Sequence, residues 1–69
     1  MKISARNVLR GKVKSVTLGM VSAEVLVELA NGEVIASVIT KRSAEALGLK
    51  EGKEVSVVIK ASNVMIAQE

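Results

Sequence analysis

The chain contains no cysteine, no histidine and no aromatic residue, and its seven acidic residues are all glutamate. Without cysteine there are no disulfides, and without histidine as well the usual structural zinc sets lack their ligands. Without aspartate the acidic loops that hold calcium are missing too, so no metal is expected to be held as a cation. The want of Phe, Tyr and Trp removes the bulkiest core fillers, leaving Val, Ile, Leu, Ala and Met to build the interior. It also removes the stacking surfaces on which single-stranded nucleic acids are held, each worth about 1–3 kcal/mol.

What is present is a 69-residue chain, 49% apolar, with a net charge of +3. A chain of this size buries only about 60% of its unfolded surface, which makes a lone monomer marginal. Small domains close that gap with disulfides, a metal or a partner chain. The first two are excluded, so oligomerisation is expected. The mild positive charge suits an anionic ligand. The N-terminal MKISARNVLRGK has no apolar signal region, and nothing approaches the roughly 20 apolar residues of a membrane span. A cytoplasmic protein is the expectation, with which the lack of cysteine agrees.

Residues 21–30 alternate strictly, with Val21, Ala23, Val25, Val27 and Leu29 on one parity and Ser22, Glu24, Leu26 and Glu28 on the other. Period two predicts a half-buried strand. Asn31-Gly32 follows and predicts a tight type I′ turn into a returning strand over 33–40. Residues 8–18 predict a longer, more exposed first strand. After Thr40 the pattern turns helical. Thr40 is placed to cap, Gly48 to take the left-handed position after the helix and Leu49 to be the apolar residue that completes a Schellman stop. Residues 55–59 and 63–67 predict two further strands. One domain over 1–69 is expected, mostly β: a small five-stranded OB-like Greek-key barrel with one short helix between strands 3 and 4. The alternative is an open sheet with the helix over one end.

Catalysis is poorly served, because histidine is missing and the glutamates fall on surface parity or in turns, where a solvated face is the ordinary reading; the chain is not expected to be an enzyme. Three clusters read instead as donors for an anion. Ser4-Ala5-Arg6-Asn7 offers a hydroxyl, a guanidinium fork and an amide in one short segment. Thr40-Lys41-Arg42-Ser43 puts two cations where a first helical turn prefers acids, which a bound anion would explain. Lys60-Ala61-Ser62 stands at the junction of the last two predicted strands. Each alone reads first as a solvated strand end or helix cap, and only their convergence would make a site.

These segments, with Leu47-Gly48-Leu49-Lys50-Glu51-Gly52 and Val58-Ile59-Lys60-Ala61, follow one another at the spacing found in the Mop family. The whole chain closely resembles a molbindin, the free-standing molybdate-binding domain related to TOBE domains. The resemblance implies an OB-like barrel assembled as a hexamer, a trimer of dimers, that binds molybdate or tungstate at subunit interfaces for storage or homeostasis. It implies that Ser4, Ala5, Arg6, Thr40, Ser43, Lys60, Ala61 and Ser62 hold the oxyanion. It further implies that an interface unites the Ser4 to Arg6 segment with Lys60 from the other end of the chain. A second site is carried onto Gly19, Val21 and Ser22, where Met20 departs from the small or β-branched residue of the pattern. Such donors meet the needs of a tetrahedral dianion, with Arg6 as fork, Lys60 as point charge and hydroxyls and amides around them. The rival readings are a nucleic-acid-binding OB module, which the missing aromatics oppose, and an excised regulatory domain of a molybdate-responsive protein.

Overall fold

The computed structural model describes residues 2–69. Its longest element is β1 (Asn7–Leu18), followed by β2 (Ser22–Leu29), β3 (Val34–Thr40), helix α1 (Lys41–Ala46) and β4 (Glu54–Ile59). All pairings are antiparallel, and the strand order is β3-β2-β1-β4. Three strands meander and the fourth returns past the helix to lie beside the first, which is the Greek-key path the sequence predicts.

β1 is long because it serves two ladders. Its first half pairs with β4, from Asn7↔Ile59 to Lys12↔Glu54. Its second half pairs with β2, from Gly11↔Leu29 to Leu18↔Ala23, with an irregularity between Val13 and Ser15. The extra residue there is Lys14; such a bulge bends a strand and raises its twist, so one strand can belong to both walls of a curled sheet. The bulge also resets side-chain parity, so Val13 before it and Val16 after it both face inward. At Gly11 there is no room for a side chain against β2: a Cβ there would lie 2.6 Å from the Glu28 carbonyl oxygen and 2.8 Å from Val27 Cγ1.

The core is made of valines. Val13, Val25 and Val27 are buried, and Val16, Ile39, Leu49, Val55 and Val57 pack against them. The predicted inward parity of residues 21–30 holds at Ala23, Val25 and Val27, while Val21 lies outside the strand and is exposed. The helix behaves as predicted. Thr40 Oγ1 accepts from the Ser43 N–H at 3.0 Å, and Gly48 has φ +62°. The Leu49 N–H reaches Ala44 O at 3.1 Å and the Gly48 N–H reaches Glu45 O at 3.0 Å, the two bonds of a Schellman motif.

Two expectations are corrected. Asn31-Gly32 does not form a type I′ turn, which needs positive φ at both residues. Gly32 has φ +89° and Asn31 does not share that region. The loop instead has three residues, Ala30, Asn31 and Gly32. The Gly32 N–H donates to Leu29 O at 2.9 Å, and the Leu29 N–H reaches Glu33 O at 2.8 Å. The fifth strand over 63–67 is also absent, and the sheet has four strands among the described residues. Asn63 belongs to a single 3-10 turn, Ala61–Asn63. Val64 beyond it is extended at φ −97°, ψ 122°, but a strand exists only against a partner, and Met65 and Ile66 stay 92% and 90% exposed. β3 and β4 therefore do not meet, and the barrel is open between them.

Gly11→Ala should destabilise the chain by about 1–3 kcal/mol, since backbone rather than a flexible side chain must give way. Gly48→Ala should cost about 1 kcal/mol through its left-handed φ. Urea titrations followed by circular dichroism check both, and Gly11→Ala is expected to be the larger loss.

Candidate functional site

The predicted oxyanion residues occupy two places. At the start of β1, Ser4, Ala5 and Arg6 lead into the ladder, with Ser4 and Arg6 exposed. The register Asn7↔Ile59 then sets Arg6 and Lys60 just beyond the last pair of the same two strands. The Asn7 side-chain amide donates to Ile59 O at 3.2 Å and ties the strand ends together. Lys60 opens the 3-10 turn, in which the Asn63 N–H returns to Lys60 O at 2.8 Å and carries Ala61 and Ser62 round on the same side. The sequence distance between Arg6 and Lys60 is thus closed within one chain by strand pairing, which corrects the expectation that a subunit interface brings them together.

Thr40 and Ser43 stand elsewhere. The register Ser22↔Thr40 puts them at the far end of the sheet, beyond Leu18↔Ala23 and so a full β1 away from Arg6. Thr40 Oγ1 lies 2.8 Å from Ser43 Oγ in a hydroxyl pair, and Thr40 also caps the Ser43 N–H. The turn carrying Gly19, Val21 and Ser22 lies beside them, because the Lys41 N–H donates to Val21 O at 2.7 Å. The Gly19 N–H is already spent on Ser22 O at 2.8 Å. An open hollow of about 490 Å³ here is lined by Met20, Val21, Thr40, Lys41, Arg42 and Glu45. The structure therefore joins the two predicted sites at this end and separates the first predicted site into halves. One half is Ser4, Ala5, Arg6, Lys60, Ala61 and Ser62; the other is Thr40 and Ser43.

The donors are cations, hydroxyls and amides. All the glutamates are exposed, and no group of His, Cys, Asp or Glu among the described residues could hold a metal ion. Among the described residues no helix is long and apolar enough to cross a membrane. Sequence reasoning missed Lys53, whose ammonium donates to Leu47 O and, at 3.5 Å, to Gly48 O. It closes the carbonyl end of α1 and so steadies the helix that carries Ser43. A lysine a few residues beyond a predicted helix stop was the available signal.

Residues 3–66 match the family model of the TOBE domain. The chain belongs to the Mop family of TOBE domains. It is 53% identical over 66 residues to molybdenum-pterin-binding protein 3 of Clostridium pasteurianum, covering 96% of this chain and 97% of the relative. Its fold superposes on the molybdate-binding protein of Sporomusa ovata with a TM-score of 0.93 at 32% identity, over 99% of this chain and all of that one. Against the cytoplasmic molybdate-binding protein ModG, solved with molybdate bound, the TM-score is 0.91 at 49% identity, over 94% of this chain and 46% of that chain.

Thr40→Val removes the cap and half of the hydroxyl pair, and should lower stability by about 1 kcal/mol, while Thr40→Ser keeps both and should leave it nearly unchanged. Thermal melts of the two variants beside the parent chain provide the check.

Proposed function

We propose that this Mop-family domain binds molybdate or tungstate between the subunits of a homo-oligomer in the cytoplasm, as a store or buffer of the oxyanion and not as an enzyme. The observation that carries the reading is the gathering of cations, hydroxyls and amides in the two half-sites, in a fold that superposes closely on molybdate-bound ModG. Arg6 and Lys60 supply charge, while Ser4, Ser43, Ser62, Thr40 and the backbone at Ala5 and Ala61 supply hydrogen bonds. A dianion surrounded by donors needs no proton exchange and no metal. The turn with Gly19, Val21 and Ser22 serves a second oxyanion site.

The separation of the half-sites gives this reading a definite form: Arg6 and Lys60 of one chain meet Thr40 and Ser43 of another. The open barrel supplies the assembly. Between β3 and β4 lies an apolar hollow of about 190 Å³, lined by residues that include Val13, Val27, Ile39, Leu49, Val55 and Val57. The same chain holds out Val64, Met65 and Ile66 with nothing to cover them. Residues 64–67 of a neighbouring copy fit that gap as the missing fifth strand, which completes a five-stranded OB-like barrel in the assembly. The hexamer, a trimer of dimers, is the proposed final state.

A chain ending at residue 63 should lose the assembly: light scattering behind a sizing column should give about six chain masses for the parent and a smaller species for the truncation. Equal masses would overturn the exchange.

Molybdate and tungstate should raise the melting temperature of the parent protein, with a gain of about 2.7 kcal/mol per site at 100 times Kd, where sulfate and phosphate do little. Arg6→Ala and Lys60→Ala should each cost about 1.5–3 kcal/mol of affinity, and Ser43→Ala about 1 kcal/mol. Co-refolded Arg6→Ala and Ser43→Ala chains should recover intact sites, each taking its sound half from a different chain. Arg6→Ala with Lys60→Ala should not, since both lesions fall in the same half. Isothermal titration reads the difference, and recovery in neither mixture would refute a site divided in this way.

A further inference from the structure

At the tip of the β2–β3 hairpin, Asn31-Gly32 is the kind of dipeptide in which asparagine most readily loses its amide, because glycine leaves the following nitrogen unhindered. In that reaction the Gly32 nitrogen gives up its proton and attacks Asn31 Cγ. A C–N bond forms, the Cγ–Nδ2 bond breaks and ammonia leaves, giving a succinimide. Water then opens the ring at either carbonyl to aspartate or isoaspartate. Water enters, ammonia leaves, and nothing is oxidised or reduced.

Both residues are exposed, so solvent reaches them freely, yet each atom the reaction needs is already engaged. The Gly32 N–H donates to Leu29 O at 2.9 Å. Asn31 Oδ1 accepts from the Glu33 N–H at 3.0 Å, and Asn31 Nδ2 donates to Glu33 Oε1 at 2.8 Å. The side chain is bent forward onto Glu33, and the nucleophile's proton is held by Leu29. Reaction requires the nitrogen to leave its acceptor and Cγ to swing off two partners at once.

We propose that Asn31 is a latent deamidation site that the folded loop keeps intact, with the Glu33 carboxylate as its latch. Conversion disrupts the loop that prevented it. An aspartate at this position would set a carboxylate against Glu33 where Nδ2 now donates, and an isoaspartate would add a main-chain atom to a three-residue loop. Either opens the hairpin tip and makes the segment a marker of chains that have spent time unfolded. The tip lies at the end of β2 and β3 opposite Thr40, so this inference stands apart from the oxyanion reading.

The test incubates the intact protein at mildly alkaline pH and follows deamidation by peptide mass spectrometry, with ammonia release in parallel. Asn7 and Asn63, both followed by valine, serve as slow internal references. Asn31 should convert about tenfold or more slowly in the folded protein than in urea, as the loss of several hydrogen bonds implies. Glu33→Ala should speed the folded-state reaction about fivefold, and Glu33→Gln, which keeps an acceptor for Nδ2, should stay near the parent rate. Val25→Ala weakens the core far from the loop and measures opening of the whole chain. Equal rates in folded and unfolded protein would overturn the proposal. So would a Val25→Ala acceleration as large as that of Glu33→Ala, or a Glu33→Gln rate matching Glu33→Ala.

Discussion

Every other strand is held, directly or through one neighbour, to β1. Twelve residues pair with β4 at one end and β2 at the other, and the bend between them is made by Lys14 as an extra residue and Gly11 as a missing side chain. Without the bulge, Val13 and Val16 could not both face the core, since successive odd and even residues of a regular strand point to opposite faces. Without the glycine, the Glu28 carbonyl could not come so near. The curl that makes a barrel wall out of a flat ladder is thus written into the stretch from Gly11 to Val16.

The curl leaves the barrel unfinished. Among the described residues only Val13, Ala23, Val25, Val27 and Ala44 are buried apolar residues, a small core for a chain that is 49% apolar. Large apolar side chains remain on the surface, among them Met20, Val21, Val38, Met65 and Ile66. Large apolar side chains left in water at both ends of the sheet are surface that a partner would cover. The open seam between β3 and β4 adds two unpaired strand edges, which are themselves templates for another chain. Small size, absent staples, open seam and apolar tail are four expressions of one shortage of buried surface.

How much of this the sequence disclosed depends on whether the governing interaction is local. Thr40, Gly48 and Leu49 announce the helix and its ends because a cap and a Schellman stop are decided within a few residues. The alternation of residues 21–30 announces the β2 face because period two is likewise local. The Asn31-Gly32 pair announced a hairpin but not its loop length, which depends on whether Asn31 or Gly32 takes positive φ and on the Glu33 side chain that Asn31 grips. The segment 63–67 has strand composition and no strand, because pairing is a property of two segments. Arg6 and Lys60, 54 positions apart, could be joined only through the register Asn7↔Ile59, to which Asn7 gave no visible clue. The candidate site was legible as residue types and as a family resemblance, and the separation of its residues into two groups was not, because that follows from which end of β1 each segment reaches.

The division has a thermodynamic consequence on the proposed reading. A ligand whose donors come from two chains binds the assembly and not the separated chain, so its free energy of binding adds to that of association. By the same linkage, association raises affinity for the ligand. A chain that is marginal alone is then stabilised twice, by covering its apolar tail and by filling its donor sites. The donors also gain from assembly. Arg6 and Lys60 standing alone in water bind an oxyanion weakly, since water screens them. Enclosed between chains they act at lower effective dielectric, where the same charges attract more strongly. A protein built in this way couples how much oxyanion it holds to how completely it is assembled, and it needs no moving part to do so.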